Sequence, residues 1–262
     1  MPFAQTGPYE IYFELRGSGP PLLLSAGQGT GPQSREPLIA GLAQHHSVLI
    51  YDQRGTGRSS PAEQGNSIEA LAQDVLALMD AVQWPVADVV GLSTGTGMVT
   101  AFASEHPTRV RRLVLAAPWT HGSREFRWLQ ELRKSAARCL SPTLYSQFNQ
   151  LLLYSPDYRR DNYERLEQLV SDAQNRPHDA IGIAGRLDAI LAFDARPHYA
   201  RIQCPTLILG ALDDQIMPIW FAQDAAGMVV GAKLVELTHG GHMFPETRTE
   251  EFLAAVLPFL KH

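Results

Sequence analysis

The pentapeptide Gly91-Leu92-Ser93-Thr94-Gly95 constrains this chain more than any other stretch. It follows the apolar run Val89-Val90 and precedes a helix-forming segment through Met98 and Ala101. A serine with glycines two residues to either side, at a strand-to-helix boundary, predicts a turn sharp enough to force Ser93 into a strained backbone conformation, with the glycines letting neighbouring backbone pass close by. Such a turn lifts the hydroxyl above the carboxyl ends of the strands. The helix behind it offers free N–H groups that can stabilise developing negative charge. Ser93 is therefore a candidate nucleophile.

The surrounding sequence supplies the sheet that this turn needs. Residues 10–16, 21–25, 47–51, 88–91 and 110–116 read as strands. Residues 33–44, 67–82 and 98–104 carry the spacing of amphipathic helices, with Asn66 and Glu69 suggesting a capping box before the second. The alternation resumes late, with strands at 206–210 and 233–237 and helices at 219–226 and 250–260. Strands alternating with helices predict an α/β class fold with a mostly parallel central sheet flanked by helices. Residues 119–199 break the pattern: Leu129, Leu132, Leu151, Leu152, Leu166, Leu169, Val170, Leu187 and Leu191 keep helical spacing with little strand signal. A structureless loop of that length is rare, since loops beyond about 15 residues are uncommon. The expected organisation is one core formed by 1–118 and 200–262, with 119–199 inserted as a helical cap. That insertion carries 11 Lys+Arg against 10 Asp+Glu, whereas the whole chain has a net charge of −5.

A serine hydroxyl is a weak nucleophile near neutral pH and needs a base, which in turn needs an orienting acid. Both are available downstream, each just past a strand. Asp214 lies in Leu212-Asp213-Asp214-Gln215-Ile216-Met217-Pro218, and His242 in Gly240-Gly241-His242-Met243. Asp213 and His239 compete for the same roles. Asp214 is favoured by its place four residues before Pro218, and His242 by the glycines that free its loop to approach Ser93. An acyl-transfer intermediate also needs two donors for its oxyanion. The N–H of Thr94 is the first, and Gln28 in the glycine-rich run Ala26-Gly27-Gln28-Gly29-Thr30-Gly31 is the candidate second. Trp119 and His121 follow a strand end and are expected at the pocket mouth. Arg186 is the candidate partner for a substrate carboxylate.

Several classes are disfavoured. Neither the net charge of −5 nor the pI of about 6.0 favours a nucleic-acid partner, and the relatively basic insertion reads as solvated helix faces. No run approaches the roughly 18 apolar residues of a membrane span, and the start of the chain has no basic-then-apolar leader pattern. Two cysteines, Cys139 and Cys204, are too few for a disulfide framework, so a cytoplasmic setting with reduced thiols is expected. His45-His46 reads as a solvated helix end, and no metal-binding or phosphate-loop motif is present. No cofactor or metal is expected. The expected partner is a small-molecule substrate, with the chain a monomer or homodimer.

These motifs together resemble the α/β-hydrolase superfamily over essentially the full length. Tyr51-Asp52-Gln53-Arg54-Gly55-Thr56-Gly57-Arg58-Ser59 is similar to that family's Y-D-x-R-G-x-G-x-S loop, and the Gly91–Gly95 turn, Asp214–Pro218 and Gly241-His242 match its other landmarks. Within it the chain resembles the 3-oxoadipate enol-lactonase-like and aminoacrylate hydrolase-like branches. The second is suggested by Leu153-Tyr154…Asp157, Arg186-Leu187 and Tyr199–Pro205. One departure is Ala26-Gly27, where the family usually has His-Gly. The resemblance implies a hydrolase with a Ser93–His242–Asp214 triad acting through an acyl-enzyme on a small ester, lactone or amide-like substrate. A ligand-binding receptor of the same fold with little turnover, and a cofactor-free enzyme using the His–Asp pair, are the alternatives.

Overall fold

The computed structural model describes residues 2–27, 35–62, 67–175 and 178–261. The strands are β1 Phe3–Thr6, β2 Tyr9–Arg16, β3 Pro21–Ser25, β4 Ser47–Tyr51, β5 Ala87–Leu92, β6 Val110–Ala116, β7 Thr206–Ala211 and β8 Lys233–Leu237. They form one sheet in the order β1-β2-β4-β3-β5-β6-β7-β8. The β1–β2 and β2–β4 pairings are antiparallel, and the others parallel. The central strands are buried on both faces, which is why they read as near-continuous apolar runs: β5 and β7 are buried at every position. By contrast β2 alternates in composition and lies toward the edge.

The helices of the core are α1 Glu36–Ala43, α2 Ile68–Ala81 and α3 Thr94–Glu105 in the first half. Between β6 and β7 the regular elements among the described residues are all helices, as the periodicity predicts: α4 Arg124–Cys139, α5 Pro142–Leu153, α6 Pro156–Asp161, α7 Tyr163–Ala173, α8 Ala180–Ala192 and α9 Arg196–Tyr199. Three of these begin with a serine cap. The hydroxyls of Ser123, Ser141 and Ser155 accept the N–H of Phe126, Leu144 and Tyr158, and prolines follow the second and third caps where a missing N–H costs nothing. The core closes with α10 Ile219–Met228, α11 Phe244–Thr247 and α12 Thr249–Lys261.

Local details differ from expectation in four places. The strand β1 was not anticipated; it is short and half exposed, and leaves little periodic signal. The cap of α2 is Ser67, whose hydroxyl accepts the Ala70 N–H; Asn66 lies outside the described residues. The helix after the Gly91–Gly95 turn starts at Thr94, directly after Ser93, rather than at Met98. His45 is exposed as expected, but His46 is buried at 3% exposure, where its backbone N–H donates to the Leu42 carbonyl and Asp88 is within electrostatic reach.

The strand order positions the site. From β3 the chain crosses to β4 on one side, and β5 returns to the other side of β3. Loops leaving the carboxyl ends of β3 and β5 therefore diverge and leave a crevice between them, which is where open α/β sheets place their ligands. Ser93 leaves β5 at this crevice, and Ala26-Gly27 leaves β3.

Candidate active site

Ser93 sits at the tightest point of the turn. Its φ and ψ are 51° and −121°, a conformation rarely adopted by a side-chain-bearing residue. The strain is held by hydrogen bonds on both sides: Ser93 N–H donates to the Ala116 carbonyl on β6 at 2.8 Å, and its own carbonyl accepts the Thr96 N–H at 2.8 Å and the Thr96 hydroxyl at 2.6 Å. The two flanking glycines are required by close approach. A Cβ on Gly95 would lie 2.2 Å from the Ser25 carbonyl oxygen, and one on Gly91 would meet Val99 at 2.6 Å and the Thr96 Cα at 2.8 Å.

His242 and Asp214 arrive from β8 and β7. The Ser93 Oγ lies 2.8 Å from His242 Nε2, and His242 Nδ1 lies 2.9 Å from Asp214 Oδ2 and 3.1 Å from Oδ1. The Asp214 carboxylate is itself fixed, since its Oδ1 accepts the N–H groups of Ile216 and Met217 at 2.8 and 2.9 Å. Asp214 and His242 are buried, whereas Ser93 is half-buried. One hydrogen-bonded chain thus runs from a shielded carboxylate through an imidazole to a reachable hydroxyl.

The competing residues do something else. Asp213 accepts the N–H groups of Gly240 and Gly241 at 3.2 and 2.8 Å, which fastens the histidine loop to the β7 turn. His239 pairs with its neighbour Thr238 through Nδ1 and the hydroxyl, 2.7 Å apart. The glycines before His242 are again dictated by contact: both have positive φ, and a Cβ on Gly241 would lie 2.8 Å from the Leu153 carbonyl oxygen at the end of α5. Met243 N–H donates to that same carbonyl at 3.1 Å.

Thr94 opens α3, and its N–H has no partner among the described residues. It stands beside Ser93 with the field of the helix N-terminus behind it. Gln28 lies outside the described residues. Gly27, just before it, passes so close that a Cβ there would be 3.0 Å from the Ser93 Cβ. The Ala26 carbonyl is held by the Gln53 side-chain amide at 2.7 Å. That bond explains how the Tyr51–Ser59 loop supports the floor. Within the loop, Asp52 accepts the Arg58 N–H and Nε–H at 3.0 and 2.9 Å, and Ser59 Oγ accepts the Tyr12 N–H at 2.9 Å. Gln53 occupies the unspecified position of the Y-D-x-R pattern, and its role was not read from the sequence.

The residues expected at the mouth divide. Trp119 is fully buried and does not stand at a mouth: its ring packs against Gly97, where a Cβ would be 2.3 Å from the indole, and edge-on to Phe193 at 5.9 Å. The apolar ring is worth more inside the core than at a wet rim. His121 is partly exposed, hydrogen-bonded to the Thr120 hydroxyl at 3.0 Å, with its ring 6.3 Å from that of Phe221. Arg186 is largely buried on α8, and that burial pushes its guanidinium below the usual arginine value despite the nearby Asp179. A further buried ion pair escaped sequence reading. Arg35 Nε lies 3.2 Å from Glu246 Oε1, joining the start of α1 to the short helix after His242. Burial pushes the Glu246 carboxyl up, and Arg35 pulls the other way.

This geometry belongs to a known class. The profile of the alpha/beta hydrolase fold family matches residues 20–249, and the chain belongs to that family and is a hydrolase. Among its relatives, a protein of Azorhizobium caulinodans named "Putative carbamate hydrolase RutD" is 34% identical over 263 residues, 99% of this chain and 98% of the relative. Its namesake from Caulobacter sp. (strain K31) is 31% identical over 257 residues, 95% of each chain. Among solved structures, the enol-lactonase of Burkholderia xenovorans superposes with a TM-score of 0.89 at 29% identity, covering 100% of both chains. Among the described residues no helix is long and apolar enough to cross a membrane.

Proposed function

We propose that this chain is a serine hydrolase that cleaves a small ester, lactone or amide-like acyl compound through Ser93, His242 and Asp214. The observation that carries the reading is the continuous chain of hydrogen bonds from Asp214 through His242 to the Ser93 Oγ, ending on a hydroxyl held in strained backbone beside a free helix N–H. The names of the relatives agree on the reacting group. A carbamate and an enol-lactone both present a carbonyl carbon bearing a heteroatom leaving group.

In this reading the Ser93 oxygen attacks the carbonyl carbon as His242 Nε2 takes its proton, and Asp214 stabilises the resulting imidazolium at Nδ1. The negative oxygen of the tetrahedral intermediate is held by the Thr94 N–H, and by a second donor assigned to Gln28. Nε2 then hands the proton to the departing oxygen or nitrogen, leaving an acyl-serine. A water, deprotonated by the same imidazole, releases the acid and restores the hydroxyl.

The test is covalent. A fluorophosphonate should add one phosphonyl group at Ser93, located by peptide mass, and Ser93→Ala should not label and should lose about 10⁶ in turnover of a p-nitrophenyl ester. Labelling elsewhere, or near-native turnover by Ser93→Ala, would sink the proposal. A single stoichiometric release of nitrophenol without further product would point instead to a receptor.

A further inference from the structure

Gln53 is a buried amide on a backbone that is pinned on both sides. In the Tyr51–Ser59 loop after β4, its carbonyl accepts the Thr56 N–H at 2.9 Å and the Thr56 hydroxyl at 2.6 Å. Just before it, the Asp52 N–H donates to the Tyr12 carbonyl at 3.0 Å, and the Asp52 carbonyl accepts the Ser59 hydroxyl at 2.5 Å. The Asp52 carboxylate in turn accepts the Nε–H of Arg58 at 2.9 Å. From this fixed base the side chain of Gln53 reaches out of its own loop, and its Nε2 donates to the Ala26 carbonyl at 2.7 Å.

That carbonyl lies where the two donor-bearing segments meet. It belongs to the peptide joining Ala26 to Gly27, in the run that leads to the second donor assigned to Gln28. A Cβ on Gly27 would be 3.0 Å from the Ser93 Cβ and 3.6 Å from the Ser93 Oγ. On the other side, a Cβ on Gly95 would be 2.7 Å from the Ala26 oxygen, and Gly95 directly follows Thr94, the first donor. Ala26 brings only a methyl group to this junction and Gly27 no side chain, so neither can anchor the loop through a polar side chain of its own.

The consequence is electrostatic. A peptide unit is planar, so fixing its oxygen fixes the direction of its N–H. Glycine tolerates both signs of φ, so a peptide next to Gly27 can turn over at little steric cost. The strand order places Gln53 and Ser93 on opposite sides of β3, because Gln53 follows β4 and Ser93 follows β5. The Gln53 amide therefore draws on the Ala26 oxygen from the side away from the nucleophile. A turned-over peptide would lose that bond and swing a carbonyl oxygen towards Ser93, offering an acceptor where a negative oxygen has to form.

We infer that Gln53 is a positioning residue for the oxyanion hole: by holding the Ala26 carbonyl, its side-chain amide keeps the β3 loop in the setting that offers donors to the substrate oxygen at Ser93. The inference rests on the serine-hydrolase reading and adds to it a residue that touches no substrate atom.

The experiment replaces Gln53 by Met, which has nearly the same length and no donor, and by Ala. Exhaustive fluorophosphonate titration counts competent sites, so that turnover of p-nitrophenyl acetate is read per site. Both variants should titrate fully and lose about tenfold to a hundredfold in kcat per site, the effect of a misplaced donor, with KM nearly unchanged. A short alkyl trifluoromethyl ketone supplies the second readout. The Ser93 oxygen adds to its carbonyl carbon, the serine proton passes to His242, and the resulting oxyanion occupies the hole. Its inhibition constant should weaken by the same factor as kcat/KM, while inhibition by the product acetate stays as in wild type. Ser60→Ala, which removes the acceptor of the Glu10 N–H from the end of the same loop, should leave kcat per site and ketone affinity unchanged. Fewer competent sites with wild-type turnover at each would make Gln53 a merely structural residue and overturn the inference. So would a loss confined to KM, or an equal loss in Ser60→Ala. A wild-type protein that fluorophosphonate does not label at Ser93 takes the hydrolase reading and this inference down together. A labelled wild type alongside fully active Gln53 variants takes down this inference alone.

Discussion

Replacing Asp214 by Asn alters one atom's chemistry at nearly constant volume, and the local geometry dictates the outcome. Oδ1 is committed to two backbone donors, the N–H groups of Ile216 and Met217 at 2.8 and 2.9 Å. An amide NH2 placed there would face two donors, so the asparagine oxygen must take that seat and the NH2 must take the position of Oδ2, 2.9 Å from His242 Nδ1. Nδ1 then has to accept, which puts the imidazole proton on Nε2, pointing at the Ser93 Oγ 2.8 Å away. In that tautomer the base cannot take the serine proton. A loss of about 10⁴ in kcat is expected for the wrong tautomer in a Ser-His-Asp arrangement, equivalent to about 5 kcal/mol of transition-state stabilisation. The assay is kcat for p-nitrophenyl acetate together with the rate of fluorophosphonate acylation, with urea unfolding to show that the fold is intact. Asp213→Asn is the control. It can keep only one of its two glycine contacts, so it should cost about 1 kcal/mol of stability and much less activity. An Asp214→Asn protein within tenfold of wild type, or an Asp213→Asn protein that loses more, would refute the assignment of the acid.

Three further outcomes are expected. Gly95→Ala places a Cβ 2.2 Å from a backbone oxygen that cannot swing aside, so it should cost roughly 3 kcal/mol and lower Tm by roughly 6–12 °C. Gly185→Ala in α8, where nothing lies within 4 Å of the new methyl, should raise stability by about 0.5–1 kcal/mol; equal effects at the two sites would deny the packing argument. Burial holds the imidazoles of His46 and His198 below the ordinary histidine value, with Arg201 adding to the effect at His198. The unfolded chain therefore binds more protons than the folded one as pH falls through about 6.5, and stability should drop in that window. Urea midpoints between pH 7.5 and 5.5 should slope less steeply in a His46→Gln/His198→Gln protein, and an unchanged slope would be contrary. Finally, breaking the buried Arg35–Glu246 pair from one side, by Glu246→Gln, should cost about 3–5 kcal/mol, whereas Arg35→Met/Glu246→Leu should recover much of it. Additive losses measured by urea unfolding would contradict a paired origin.

The parts that the sequence makes legible share a physical cause: they are local. The Gly91–Gly95 turn is visible because its five residues are contiguous: Gly91 answers to clashes within its own strand–turn–helix unit, and although Gly95 answers to the Ser25 carbonyl on β3, it sits in the same short pattern. The buried strands are visible because a strand covered on both faces has no polar alternative. The helical insertion is visible through its periodicity, and its Ser141-Pro142 and Ser155-Pro156 caps could also have been read, since each helix start is written in two adjacent residues. What stayed hidden depends on where distant segments meet. Nothing near Asp213 tells that it holds the histidine loop rather than the histidine, because its partners are the backbone N–H groups of Gly240 and Gly241, and backbone donors have no residue type. Gln53 sits at a position the loop pattern leaves free, yet it fixes the carbonyl of Ala26, just past the end of β3. Trp119 follows a strand end as a pocket residue would, but the absence of a side chain at Gly97, on a helix reached by a different crossover, leaves a slot that the indole fills. Residues whose partners are backbone, or whose expected partner is missing, write no complementary signal into the chain. In this protein they are the groups that set the loop positions around Ser93.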